Sequence, residues 1–121
     1  MRQQVFKFSN DGKKLLMTLG EPGVAGNDDK HFGRPTDIAW LPDGTFYVTD
    51  GYTNTRVVKF DRNGKYLMTW GTPGTGPSQF DTVHSIAIEC TVSNWLGPVP
   101  GVPQVMRNFP FLSNLTTRVF V

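Results

Sequence analysis

Apolar and polar positions alternate along this chain in short runs, with no stretch in a helical rhythm. The first run, Val5-Phe6-Lys7-Phe8, returns nearly unchanged as Val57-Val58-Lys59-Phe60. Successive side chains of a strand point to opposite faces. Phe6 and Phe8 therefore share a face with Val58 and Phe60, while Lys7 and Lys59 share the other. Further strands are predicted at Ile38 to Leu41, Phe46 to Asp50, Arg56 to Phe60 and Tyr66 to Trp70. Pro42-Asp43-Gly44 and Arg62-Asn63-Gly64 supply the turns between them. Asx-Gly pairs suit such hairpins because both residue types tolerate positive φ.

These runs belong to a longer repeat. Asn10-Asp11-Gly12-Lys13 recurs as Arg62-Asn63-Gly64-Lys65, and Leu16-Met17-Thr18-Leu19-Gly20 as Leu67-Met68-Thr69-Trp70-Gly71. Downstream, His31-Phe32-Gly33-Arg34-Pro35-Thr36-Asp37-Ile38-Ala39 aligns with Gln79-Phe80-Asp81-Thr82-Val83-His84-Ser85-Ile86-Ala87. The period of about 50 residues is that of one four-stranded propeller blade. The expected fold is all-β, a partial β-propeller. Residues 1–89 would hold the last two strands of one blade, a complete blade at 35–71, and the start of a third. A blade cannot bury both faces alone, and two repeats are too few to close a ring. The expected partners are therefore further propeller blades or other copies of the chain.

From Cys90 the register is lost. Where the repeat expects a strand like Phe46-Tyr47-Val48-Thr49-Asp50, the chain runs Thr91-Val92-Ser93-Asn94-Trp95-Leu96-Gly97-Pro98-Val99-Pro100-Gly101-Val102-Pro103. Prolines cannot donate to a central ladder. Residues 90–121 read as a divergent, Pro-rich tail, and a truncated or frame-shifted reading frame fits them better than a true extension.

Composition narrows the functional classes. Among 121 residues, 12 Lys and Arg face 10 Asp and Glu, a net charge of +2, and the cations are spread over strands and turns. A concentrated basic face is absent, so no nucleic-acid partner is expected. The N-terminus has no apolar core of a signal peptide, and no run is long enough to span a membrane. A single cysteine excludes an intrachain disulfide and any CxxC motif.

Asp50-Gly51-Tyr52-Thr53-Asn54-Thr55-Arg56-Val57-Val58-Lys59-Phe60 resembles an NHL repeat. With His31-Phe32, Pro35-Thr36-Asp37, Trp70-Gly71 and Val83-His84-Ser85, the chain is similar over roughly residues 5–89 to the peptidyl-α-hydroxyglycine α-amidating lyases (peptidylamidoglycolate lyases). That resemblance implies a six-bladed propeller that cleaves a C-terminal α-hydroxyglycine of a peptide substrate to a peptide amide and glyoxylate. It also implies a catalytic zinc on three His from different blades and a Tyr base. By motif Tyr52 matches the Tyr and His84 one zinc ligand. Zinc would bind the substrate's α-hydroxyl while Tyr52, as phenolate, takes its proton. The other two His ligands, the substrate-binding Arg residues and the family's structural calcium site fall outside the matched region, so the chain alone is expected to be inactive.

The bare residue types would not single these two out. A lone Tyr after a strand is more often a packing residue, and a lone His more often a satisfied turn residue than a ligand. The repeat adds one independent point. The counterpart of His84 in the preceding blade is Thr36, so packing does not demand His there. Antiparallel pairing also puts Tyr52 and His84 on one rim. The alternative is a non-catalytic NHL module that binds protein, glycan or RNA.

Weaker candidates are set aside. Asp28-Asp29-Lys30-His31 offers donor atoms but lies in a long inter-blade loop, and His31 reads as structural. Gly71-Thr72-Pro73-Gly74-Thr75-Gly76 lacks the Lys-Ser/Thr of a phosphate loop and reads as a blade connector. Asn114-Leu115-Thr116 matches a glycosylation sequon, a common chance pattern.

Overall fold

The computed structural model describes residues 3–89 and 116–120; Cys90, the Pro-rich run and Asn114 lie outside the described residues. Every regular element among the described residues is a strand: β1 (Val5–Phe8), β2 (Leu15–Leu19), β3 (Pro35–Trp40), β4 (Phe46–Asp50), β5 (Arg56–Phe60), β6 (Tyr66–Trp70), β7 (Thr72–Pro73), β8 (Gln79–Phe80), β9 (Ser85–Glu89) and β10 (Thr116–Phe120). β3-β4-β5-β6 form one four-stranded antiparallel sheet in chain order. β1 pairs with β2, and β9 with β10, in antiparallel two-stranded sheets. The fold is thus all-β, built of propeller-type blades in a partial ring.

β3 starts earlier than the apolar pattern suggested. Pro35 already lies opposite Asp50, with a bulge before Asp37, and Leu41 has left the strand. It belongs to the turn instead, where its N–H donates to Thr45 O at 2.8 Å and its carbonyl accepts Gly44 N–H at 3.0 Å. The same pair of bonds closes Asp61–Lys65. In these turns only the glycine takes positive φ, +89° at Gly44 and +84° at Gly64. The Asx residue before each glycine does not share it, contrary to the expectation for a two-residue hairpin. A helical turn followed by one left-handed residue needs only the glycine to be special.

Two apolar clusters lie on opposite faces of the complete blade. Phe32, Phe46, Val48, Val58 and Phe60 fill one, against Val5, Met17 and Leu19 of the preceding half-blade. Tyr47, Val57, Phe80, Val83 and Ile86 form the other, toward β9. Period-2 alternation produces this split: Val58 and Phe60 face backward, Val57 forward. Each inter-blade connector delivers one phenylalanine to a cluster, Phe32 or Phe80, and secures it alike. Gly26 N–H donates to Phe32 O at 3.2 Å and Gly74 N–H to Phe80 O at 3.0 Å. The second connector adds the short parallel pair β7–β8, which the sequence pattern did not indicate.

The tail contributes β10, pairing Thr116 to Phe120 with Glu89 to Ser85. It occupies the place beside β9 that β4 holds beside β3. Its run Thr116-Thr117-Arg118-Val119-Phe120 is rich in strand-forming residues, a local signal that the reading of 90–121 as a divergent tail passed over.

Candidate functional site

β4 ends at Asp50, and the chain turns through Gly51 to put Tyr52 outside the sheet. His84 stands one residue before β9, in the next blade. The Tyr52 hydroxyl lies 3.1 Å from His84 Nδ1. Their rings meet edge to face, centroids 5.0 Å apart. Both side chains are exposed, so the pair opens to solvent at the rim.

Backbone proximity creates this pairing. Gly51 packs so tightly on the neighbouring blade that a Cβ there would lie 1.7 Å from Val83 O. Thr36 Oγ1 donates to that same carbonyl at 2.8 Å, and Asp37 Oδ2 accepts Ile86 N–H at 3.0 Å. The Pro35-Thr36-Asp37 motif therefore clamps the segment that carries His84.

Beneath the rim, the buried Asp50 carboxylate gathers donors from three directions. Its Oδ1 accepts Gly33 N–H at 3.0 Å and Arg34 N–H at 2.7 Å; its Oδ2 accepts Asn54 Nδ2 at 2.6 Å and Arg56 Nε at 3.1 Å. Arg56 reaches on to Asp28 O at 3.0 Å and His31 O at 2.6 Å. A charged carboxylate takes such donors better than any neutral group, so Asp50 ties the inter-blade loop and the turn 51–55 to one strand end. That turn closes through Thr55 at φ +49°, an uncommon conformation for a β-branched residue.

One residue of the site escaped the sequence reading. Arg34 holds its guanidinium 5.4 Å from the centroid of the Tyr52 ring. The signal was available: Arg34 lies two residues before Thr36, the repeat partner of His84, and so on the same rim. His31 sits apart from the pair, with Nδ1 2.8 Å from Asp28 Oδ2 and Nε2 3.7 Å from Glu21 Oε2. Asp28 raises the His31 pKa above its ordinary 6.5, and the hydrogen bond from His31 lowers Asp28 to about 2. His31 therefore latches the loop.

Among the described residues no group of three or more His, Cys, Asp and Glu side chains could hold a metal ion. One imidazole does not make a tight zinc site, so these residues by themselves do not fit one.

The fold is that of a partial propeller, and the NHL repeat model matches residues 32–60. More narrowly, the chain is similar to the amidating enzymes. It is 41% identical over 91 residues to peptidyl-glycine alpha-amidating monooxygenase of Mus musculus, covering 70% of this chain and 9% of that protein. It is 39% identical over 87 residues to a probable peptidyl-alpha-hydroxyglycine alpha-amidating lyase of Caenorhabditis elegans, covering 70% and 25%. With peptidyl-alpha-hydroxyglycine alpha-amidating lyase 1 of Drosophila melanogaster it shares 45% over 71 residues, covering 56% and 13%. The chain thus spans about a tenth to a quarter of the length of these relatives.

Proposed function

We propose that this chain carries part of the active site of a peptidyl-α-hydroxyglycine α-amidating lyase, with Tyr52 as the base and His84 as one of its metal ligands. The contact between the Tyr52 hydroxyl and His84 Nδ1 supports this reading most directly, because it unites two residues from different blades at an exposed rim. In such a lyase a base removes the proton from the α-hydroxyl of a C-terminal α-hydroxyglycine. The C–O bond becomes a carbonyl as the C–N bond breaks, and the nitrogen recovers a proton, giving a peptide amide and glyoxylate. The phenolic oxygen of Tyr52 is the group here that can hold and pass that proton, and His84 Nδ1 is placed to orient it. Zinc, when bound, supplies a Lewis acid. His84 would contribute one imidazole, with the remaining ligands drawn from outside the described residues. Arg34, over the Tyr52 ring, adds positive charge to the rim, which suits an anionic substrate terminus.

The reading is tested in two parts. The chain by itself should release no glyoxylate from an N-acyl-α-hydroxyglycine above background; release would contradict an incomplete site. Excess zinc, enough for the weak coordination that one imidazole allows, should shift the NMR ring signals of His84 and Tyr52 and leave those of His31 in place, and His84→Ala should abolish the response. A response at His31 alone, or one that survives His84→Ala, defeats the assignment.

The alternative, a binding module without catalysis, rests on the NHL match by itself. It needs neither Tyr52 nor His84 and predicts that Tyr52→Phe with His84→Ala leaves binding to a partner unaltered.

A further inference from the structure

Tyr52 stands on a fixed turn, but burial does not hold its side chain. Gly51 presses on Val83 O, Asn54 Nδ2 donates to Asp50 Oδ2 at 2.6 Å, and the turn closes through Thr55. The Tyr52 side chain is nevertheless 55% exposed, whereas Tyr47 is 2% exposed. A ring that open turns between staggered rotamers unless specific contacts select one. Among the described residues two side chains make such contacts. His84 meets the hydroxyl and stands edge to face with the ring, and Arg34 lies over the ring face, its guanidinium carbon 5.4 Å from the centroid.

Arg34 is mounted for this contact. Pro35 lies opposite Asp50 in the β3–β4 register, so Arg34 sits one step beyond the sheet, level with the turn that carries Tyr52. Its N–H donates to Asp50 Oδ1 at 2.7 Å, and the same carboxylate accepts from Asn54. One buried anion thus fixes the backbone under both side chains. Among the described residues no carboxylate lies within ion-pairing distance of the Arg34 guanidinium, and the Asp50 charge pairs with Arg56 instead.

Two other cation–ring contacts provide the contrast. Lys59 lies 5.3 Å over Tyr47 and Lys7 4.5 Å over Trp40. Tyr47 is buried and meets Trp70 edge to face, and Trp40 rests on Phe46 with centroids 4.3 Å apart. Packing holds those rings without the cation. At Tyr52 the cation supplies one of two contacts.

We propose that Arg34 is a positioning residue for Tyr52, its guanidinium holding the ring in the rotamer that keeps the hydroxyl on His84 Nδ1. The ring quadrupole attracts a cation over its face, and at an exposed position this shifts a rotamer equilibrium about two- to fivefold. The contact itself needs no lyase chemistry. Its catalytic meaning rests on the lyase reading, in which the Tyr52 oxygen must stay where it can take a proton.

NMR of the full chain tests the role. The Arg34 side-chain protons should lie upfield through the Tyr52 ring current, and Tyr52→Leu should remove that shift. Arg34→Gln should lower the ratio of docked to undocked Tyr52 rotamers, read from couplings about χ1, by about two- to fivefold. Arg34→Lys, which keeps the charge, should restore most of the wild-type ratio. Lys59→Gln should leave Tyr52 unaltered, and circular dichroism should show the same strand signature in every variant. An absent ring-current shift, a Tyr52 rotamer indifferent to Arg34→Gln, or an Arg34→Lys variant no better than Arg34→Gln overturns the proposal. The lyase reading fails separately. A zinc response at His31 alone, with the Arg34 effect intact, removes that reading and leaves the positioning role; a zinc response at His84, with Tyr52 indifferent to Arg34→Gln, does the reverse.

Discussion

Replacing Asp50 by Asn keeps the shape of the side chain and removes its charge, and the structure sets the consequence. Asp50 is 0% exposed and Arg56 3% exposed, so the pair is shielded from water. The carboxylate accepts from Gly33, Arg34, Asn54 and Arg56, and it has no donor of its own to place. An amide must turn its NH2 toward either the Gly33 and Arg34 N–H groups or the Asn54 and Arg56 donors, leaving donors facing a donor. Each buried donor stranded in this way costs about 1–3 kcal/mol. Removing one partner of a buried ion pair costs about 3–5 kcal/mol, because the other charge stays buried. With net stabilities of about 5–15 kcal/mol, Asp50→Asn should take a large share of the total. Urea unfolding followed by tryptophan fluorescence should show a midpoint lower by roughly 2 M at a slope of about 1–3 kcal/mol per M. Adding Arg56→Met should recover part of the loss, since the stranded charge is gone. A loss under about 1 kcal/mol in the single variant, or strictly additive losses in the double variant, would refute the view that Asp50 and Arg56 act as one buried unit.

Two further outcomes follow from the site. Gly51→Ala places a methyl where only 1.7 Å separates it from Val83 O, so the blades must part there; the nuclear Overhauser contacts between the Tyr52 and His84 rings should vanish, and their persistence would show that the turn 51–55 moves instead. The His31–Asp28 pair gives a pH dependence with a defined sign. His31 is raised above 6.5, so its contribution to the loop is complete below that value and lost as pH rises through the folded pKa; Asp28, lowered to about 2, contributes above about 3.8 and its share is lost as pH falls toward 2. The loop 26–32 should be tightest between about pH 4 and 6.5. An NMR titration of His31 should show a midpoint above 6.5 that drops in Asp28→Asn; an unchanged midpoint would remove Asp28 as the cause.

The sequence by itself determined the period, the face of each strand and the chemistry of its turns. Alternation at Val57-Val58-Lys59-Phe60 and the recurring Asx-Gly pairs are local properties, written within a few residues. Antiparallel pairing even put the two candidate side chains, Tyr52 and His84, at one rim. What it could not contain is distance between blades. That Gly51 presses on Val83, that the Tyr52 hydroxyl faces His84 Nδ1, that Arg34 covers the Tyr52 ring and that Asp50 collects donors from residues 33 to 56 all depend on how two sheets pack. The tail shows the limit most clearly: β10 carries strand-forming residues but no repeat register, and only the tertiary structure pairs it with β9. Hydrogen bonding along an open edge is a demand made by tertiary structure, and which distant residues answer it is not written in their local pattern.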